Sequence, residues 1–290
     1  MSFAQTAAST LPTLDRSAME LIFLGSGSAF TLEAGNFQCN MLLVAENNEK
    51  LLLDCGSDLR FSLNAAGFQV TDLTDIYISH LHSDHVGGLE YVGFSTRFNP
   101  HCDRPRLYTS ADIVQDLWDH TLAGGMRSLQ GSPATLDTFF QVQAIEPQGS
   151  FTWQGFRFQL VQVPHVHNGQ GLMPSYGLWC DFHGTRVFFT TDTQFAWTTL
   201  QPYYENADLI FQDCETAPVP TSVHSRYEQL LTLPPEVRAK TWLCGYQGGS
   251  KPQAMVDGFR GFVKRGQVFR FTVNTVVTEL RSIGLNLAVS

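Results

Sequence analysis

The sequence has no run of eighteen or more apolar residues, so nothing in it reads as a membrane-spanning helix. Its start, Met1 to Met19, is rich in Ser, Thr and Ala but lacks both a basic opening and an apolar stretch. It reads as a short loose leader rather than a signal peptide. No Cys-x-x-Cys spacing occurs among the six cysteines, Cys39, Cys55, Cys102, Cys180, Cys214 and Cys244. Several of them sit in apolar runs where a reduced thiol packs as a small hydrophobe, so a reducing, cytoplasmic setting is the expectation. Basic residues are few: 18 Lys and Arg against 27 Asp and Glu give a formal charge of -9. That is the wrong sign for a dedicated binder of phosphate backbones. Internal repeats and low-complexity tracts are missing between about residues 20 and 271. What remains is a chain of 290 residues, 43% hydrophobic, long enough to bury a large core.

Short runs rich in Ile, Leu, Val and Phe recur at Leu21 to Leu24, Met41 to Val44, Leu51 to Asp54, Ile76 to Ser79 and Arg106 to Tyr108, and each reads as a strand. Helical patterns lie between them at Ser57 to Ala66 and Ala111 to Leu122, the latter with Ser110 as its expected cap. A second group of strand-like runs covers Phe139 to Ile145, Phe156 to Val163, Tyr176 to Asp181 and Arg186 to Thr190. Asp208 to Gln212 and Thr241 to Cys244 follow, with helix candidates at Arg226 to Leu231 and Pro235 to Lys240. Two sheet-forming halves with interspersed helices predict an α/β chain folded as an αββα sandwich, two mixed sheets face to face with helices on the outer faces. The turns at one edge of such a sandwich would gather the functional side chains.

The densest chemistry is Ser79-His80-Leu81-His82-Ser83-Asp84-His85-Val86-Gly87-Gly88, three imidazoles and a carboxylate within six residues directly after a strand-like run. Neutral imidazole and carboxylate form the ligand set of a divalent metal such as zinc, iron or manganese. Residues two apart on extended backbone point the same way, so His80 and His82 can grip one ion while Asp84 and His85 face a second position. Further donors must come from elsewhere. His165 and His167 follow the strand-like run that ends at Val163-Pro164, and either can serve. Asp192 ends the buried run Phe188 to Thr191, where one carboxylate can bridge two metals; the alternative is a helix N-cap. Asp54 can orient a ligating imidazole from behind or cap a turn. His101, His120 and His183 read as surface or packing residues. Gly25-Ser26-Gly27-Ser28 lacks the rest of any nucleotide fingerprint and reads as a tight chain reversal near the site.

Taken in order, the Gly-Ser-Gly-Ser turn, Leu52-Leu53-Asp54-Cys55-Gly56, His80-x-His82-x-Asp84-His85, a later His and then Thr191-Asp192 make the chain resemble the metallo-β-lactamase superfamily over about residues 20 to 271. The resemblance implies a leader over 1-19, a metallo-β-lactamase-like domain over 20-271 and a C-terminal tail over 272-290. It implies a dinuclear site: His80, His82 and His165 on the first metal, Asp84 and His85 on the second, and Asp192 between them. It also selects His165 over His167. In the family a late strand usually ends in a further His, but here that place reads Trp242-Leu243-Cys244-Gly245-Tyr246. Gly245 has no side chain, which predicts a second metal that is weakened, more open to exogenous ligand or absent altogether; Cys244, Gln247 and His224 are the candidates to replace the lost ligand. By the same logic Gly245→His is expected to raise occupancy there.

Within the superfamily, Leu89 to Phe94, Gly125 to Gly131 and Gln212 to Thr216 look like the oxygen-binding di-iron proteins of bacterial chemotaxis systems. Ser222 to Tyr227 with Leu231 to Trp242 is similar to a region of the phosphodiesterase and ribonuclease Z-like members. Three functions follow as expectations. The first is a metal-dependent hydrolase of an ester or phosphodiester, with Asp84 orienting the attacking water and a Glu215–His224 pair relaying a proton. The second is a non-catalytic di-iron oxygen or redox sensor. The third is a degenerate site with a mainly structural metal. The partner expected is a small-molecule substrate or dioxygen, without nucleic acid or membrane; a homodimer stays open.

Overall fold

The computed structural model describes residues 18–281. Its strands, in chain order, are β1 (Met19–Phe23), β2 (Met41–Val44), β3 (Lys50–Leu53), β4 (Asp75–Tyr77), β5 (Arg106–Ser110), β6 (Ser128–Leu129), β7 (Ser132–Pro133), β8 (Gln141–Ile145) and β9 (Ser150–Trp153). They continue with β10 (Phe156–Gln162), β11 (Tyr176–Phe182), β12 (Thr185–Phe189), β13 (Leu209–Asp213), β14 (Thr241–Cys244), β15 (Gly261–Phe262), β16 (Gln267–Thr272) and β17 (Thr275–Leu280). An eight-stranded sheet runs β17-β16-β1-β2-β3-β4-β5-β8, and a seven-stranded sheet runs β15-β14-β13-β12-β11-β10-β9. Both are mixed: β3, β4, β5 and β8 are parallel neighbours in the first, and β12 to β15 in the second.

Alternation along single strands explains how the layers stack. In β13, Leu209 and Phe211 face the other sheet, while Ile210 joins the apolar layer beneath the outer helices. In β12, Val187 and Phe189 point inward and Phe188 outward. Strands covered on both faces need continuous apolar runs, which is what these segments carry. The sheets meet through aromatic rings: Phe23 of β1 lies 5.2 Å from Phe211 of β13, and Phe211 lies 4.8 Å from Phe269 of β16. The Tyr77 hydroxyl of β4 donates to the Tyr176 carbonyl of β11 across the gap at 2.8 Å. The helix Trp197–Asn206 and the short turns Tyr227–Leu230 and Pro235–Arg238 cover the second sheet, contributing Leu200, Tyr204, Tyr227, Leu230 and Val237 to its outer layer. Leu59, Leu63, Leu89, Val92, Ile113 and Leu117 cover the first. The expected αββα sandwich is therefore the observed one.

Several local expectations change. Ser110 occupies the N-cap of the helix Ala111–Asp116 but makes no capping bond, and its buried hydroxyl has no partner. The helix Trp197–Asn206 went unread because Pro202 interrupts its pattern. Met19 already belongs to β1, while residues 1–17 of the expected leader lie outside the described residues. The stretch set apart as a tail supplies β17, paired with β16 from Gln267↔Leu280 to Thr272↔Thr275; residues 282–290 lie outside the described residues. Among the described residues, no helix is long and apolar enough to cross a membrane.

One ion pair with a buried carboxylate fixes the start of β4. Asp75 has a fully buried side chain and accepts from the Arg106 guanidinium of β5, with Nη2 at 2.7 Å. Arg106→Ala would leave that carboxylate with the Thr74 hydroxyl as its remaining side-chain donor, and it should cost about 2 kcal/mol of stability. A urea melt showing a loss under about 1 kcal/mol would contradict this account of the pair.

Candidate metal centre

Parallel strands put their C-terminal ends at one edge of the sandwich, and the candidate residues sit there. Asp54 follows β3, His80 follows β4, His165 follows β10, Asp192 follows β12, Asp213 ends β13 and Gly245 follows β14. The chain turns sharply on leaving these strands: Asp54, Thr191 and Gly245 have φ of 61, 53 and 71°. For Thr191 this is costly, since a β-branched residue is rarely left-handed.

Three imidazole nitrogens converge. His80 Nε2 lies 3.0 Å and His165 Nε2 3.1 Å from His82 Nδ1. Their other nitrogens explain which ones are bare. The Ser79 hydroxyl donates to Asp54 Oδ2 at 2.8 Å, so it accepts from His80 Nδ1 at 3.0 Å. His165 Nδ1 donates to the Val223 carbonyl at 2.8 Å. The second nitrogen of each ring is thus left as a lone pair, the tautomer a metal needs. Burial holds His80 well below and His165 down to about 4, so both rings stay neutral at physiological pH; burial also lowers His82. A proton on His82 Nδ1 can serve only one of these lone pairs, whereas a cation between the three nitrogens can be met by all of them. Asp192 Oδ2 completes the group at 3.9 Å from His80 Nε2 and 3.7 Å from His165 Nε2.

On the other side of Asp192, His85 Nε2 lies 3.2 Å from Asp84 Oδ2 and 3.3 Å from Asp192 Oδ2. His85 Nδ1 is held by Asp54 Oδ2 at 2.7 Å, which settles Asp54 as the residue orienting this ring. Burial opposes a proton on His85, but Asp192, Asp54 and Asp84 outweigh it and hold its pKa well above the ordinary value. The carboxylates thus create a demand for positive charge, which a divalent cation can meet by replacing the proton. The donor set fits metals at both positions, with Asp192 common to them.

The remaining residues sort as follows. His167 is exposed, and its Nδ1 accepts from the Gly169 amide, so His165 is the member of that turn at the site. His101 and His120 are exposed, and His183 packs on Phe156 at 5.0 Å. The Gly-Ser turn does border the site: the Gly245 amide donates to the Ser26 carbonyl at 3.0 Å, and Ser26 Oγ meets the Tyr246 hydroxyl at 2.8 Å.

His224 lies beside the cluster, but not with the partner expected. Its Nδ1 bonds Asp213 Oδ2 at 2.8 Å and lies 3.8 Å from Asp192 Oδ2. Glu215 instead accepts from the Thr221 amide at 2.8 Å and serves to hold that loop. The Glu215–His224 pairing is therefore corrected to Asp213–His224. Burial works against charge on His224, yet Asp213, Asp192 and Glu215 raise its pKa to about 10; burial pushes Asp213 up to about 6. The signal for Asp213 was present: like Asp54 and Asp192, it is an acid closing an apolar run.

The replacements expected for the ligand missing at 245 mostly fall away. Gln247 Oε1 accepts from the Thr216 amide at 2.6 Å, and Cys244 Sγ points to the Gln212 carbonyl at 3.5 Å. A Cβ on Gly245 would meet Asp213 Oδ1 at 2.9 Å on a left-handed backbone, so Gly245→His is not expected to add an imidazole ligand. That expectation is withdrawn.

Set against known proteins, the family described as Anti-Pycsar protein Apyc1 matches residues 19–269. The Apyc1 of Paenibacillus harenae is 34% identical over 230 residues, 79% of this chain and 90% of the relative. The protein of the same description from Bacillus phage 010DV004 is 30% identical over 262 residues, 88% and 99% of the two chains. Among solved structures, the metallo-beta-lactamase fold protein YhfI from Bacillus subtilis superposes with a TM-score of 0.67 at 18% identity, over 88% of this chain and 100% of that one. The short form of human tRNase Z gives 0.62 at 16% identity, over 86% and 98%. These likenesses identify the sandwich as the metallo-β-lactamase fold.

Proposed function

This chain belongs to the Anti-Pycsar protein Apyc1 family, and on that premise we propose that it is a metal-dependent hydrolase that cleaves a phosphodiester. The observation that carries the reading is the Asp213–His224 pair set directly against the Asp192-centred donor cluster. Hydrolysis needs two things here: a nucleophilic water and a proton for the departing oxygen.

Cations held by His80, His82, His165, Asp192, Asp84 and His85 would supply charge to polarise the phosphoryl group and to acidify a bound water. The chain's own residues do the rest. Asp84, largely buried beside His85, accepts a hydrogen bond from the attacking water and fixes its direction. Asp192 keeps the two donor groups in register. Asp213 accepts the Nδ1–H hydrogen bond of the protonated His224, leaving Nε2–H to face the substrate and protonate the leaving oxygen, after which the ring is neutral. Asp54 and Ser79 hold the His85 and His80 rings so that their lone pairs aim inward.

This proton donor favours hydrolysis over sensing, because reversible dioxygen binding has no leaving group to protonate. The Lys and Arg deficit points to a small phosphodiester rather than a long polyanion, since a nucleic-acid tract would require clustered cations along its path. The test is turnover of bis(p-nitrophenyl) phosphate by protein reloaded with Mn²⁺ or Zn²⁺. Activity should appear with metal and vanish with EDTA. A metal-loaded protein inert on phosphodiesters, whose iron form changes its visible absorption under oxygen, would overturn the reading.

A further inference from the structure

The atoms that hold the acid's proton are also ligand atoms. His224 Nδ1, an oxygen of Asp213 and an oxygen of Asp192 all lie within 4.8 Å of one another, a group that shares only Asp192 with the donors of the two positions described above. His224 Nδ1 stands 2.8 Å from Asp213 Oδ2 and 3.8 Å from Asp192 Oδ2. Zinc bound about 2.0 Å from each of its tetrahedral donors spaces them about 3.3 Å apart, so the first contact would open and the second close by about 0.5 Å each.

A second observation points to a cation. Asp213 is 3% exposed; its Oδ2 takes His224 Nδ1 and the Thr193 amide at 3.0 Å, but its Oδ1 has no hydrogen-bond partner. A buried carboxylate oxygen without a partner is costly, and a cation bound to the carboxylate offsets that cost. Glu215, buried with Oε2 likewise unpartnered, adds negative charge near His224. The side chains of His224 and Asp192 are 21% and 15% exposed, so an ion arriving from solvent can reach the group.

We propose that Asp192, Asp213 and His224 form a third cation position, an inhibitory one, that fills when a borderline divalent ion such as Zn²⁺ is in excess. One nitrogen and two carboxylate oxygens suit zinc better than a hard ion, and solvent supplies the fourth donor. Sharing Asp192 with other cations makes this the weakest of the positions, because like charges repel. The ion exchanges for a proton: His224 Nδ1 releases its hydrogen to water and binds the cation in its place. A ring bound in this way keeps only Nε2–H, and giving that up would leave an imidazolate, so the acid is silenced. The inhibition rests on the metal-dependent reading above; the binding site does not, and the experiment separates the two.

Protein loaded with Zn²⁺ and dialysed is titrated with further ZnCl₂ by calorimetry, and turnover of bis(p-nitrophenyl) phosphate is followed in parallel. The natural chain should take up about one further equivalent and lose at least about tenfold in turnover as it fills, with recovery on dialysis. His224→Ala and Asp213→Asn should each lack that equivalent, and His224→Ala, with the same metal content after dialysis as the natural chain, should keep its residual turnover in excess zinc. His120→Ala removes an exposed imidazole 3.6 Å from Asp116 and should retain both the further equivalent and the inhibition, which separates the group from zinc caught at the surface. Circular dichroism of each variant checks folding. A natural chain that takes up no further zinc, a further equivalent that survives in both His224→Ala and Asp213→Asn, or inhibition that persists in His224→Ala would each overturn the assignment while leaving a metal-dependent hydrolase intact. A further equivalent lost in both variants of a protein inert on phosphodiesters would uphold the site and overturn the hydrolase.

Discussion

Asp192→Ala should strip the protein of bound metal and lower phosphodiester turnover by at least about a thousandfold. The reason is position. Asp192 Oδ2 belongs to all three clusters of possible ligand atoms, with His80, His82 and His165, with Asp84 and His85, and with Asp213 and His224. Any other single substitution leaves one group nearly whole; this one opens all three. Its loss also removes a nearby negative charge from His85, whose raised pKa depends on Asp192 among its carboxylate neighbours. Elemental analysis after dialysis, on a variant with unchanged far-ultraviolet circular dichroism, gives the answer. Full metal content in that variant would falsify the assignment of Asp192 as the shared ligand.

The second large effect is expected at His224. His224→Ala should cut kcat by about 10²- to 10⁴-fold, the range for removing a positioned acid, and leave metal content unchanged. The pH profile carries the sign. An acid must be protonated to act, and the folded-state pKa of His224 is raised to about 10 against the pull of burial, by Asp213, Asp192 and Glu215. Activity that depends on His224 is therefore present at neutral pH and lost as pH rises through its raised pKa, a fall that bound cations displace to lower pH. The variant should lack this alkaline fall. Asp213→Asn should move the fall to lower pH, because it removes the principal carboxylate holding the proton. A His224→Ala enzyme with the natural rate and profile would assign proton delivery to another group.

The Asp213–His224 pair also bears on the competing expectations. A site retained only to hold a structural ion would gain nothing from a half-buried imidazole kept protonated next to its ligands. The side chain of His224 is 21% exposed, so it remains within reach of a substrate. Protonated and reachable, it suits chemistry on a bound molecule.

Much of this protein was legible in the chain itself. Buried parallel strands must be apolar on both faces, so β3, β4, β12, β13 and β14 announced themselves as unbroken runs. The His80 to His85 cluster was legible for a different reason: extended backbone and the turn after it bring near neighbours onto one ion, so ligand spacing is written locally. His165 and Asp192 could be proposed because each closes such a run.

Other features depended on elements that meet only when folded. β17 is mostly exposed and has no apolar periodicity to reveal it; pairing with β16 makes it a strand. Which carboxylate holds His224 could not be read from sequence distance, since Glu215 is nearer along the chain and Asp213 nearer in space. Strand parity decides it: Asp213 shares the inward face of β13 with Leu209 and Phe211, whereas Glu215 lies past the strand end, tied to Thr221. Likewise, the sequence showed an absence at Gly245, but only the packing of β13 beside β14 showed an unpartnered oxygen facing the gap. Ligand identity within a turn is a local matter of backbone geometry. Which groups share a proton or an ion across strands is set by register and layer stacking, and those exist only in the folded molecule.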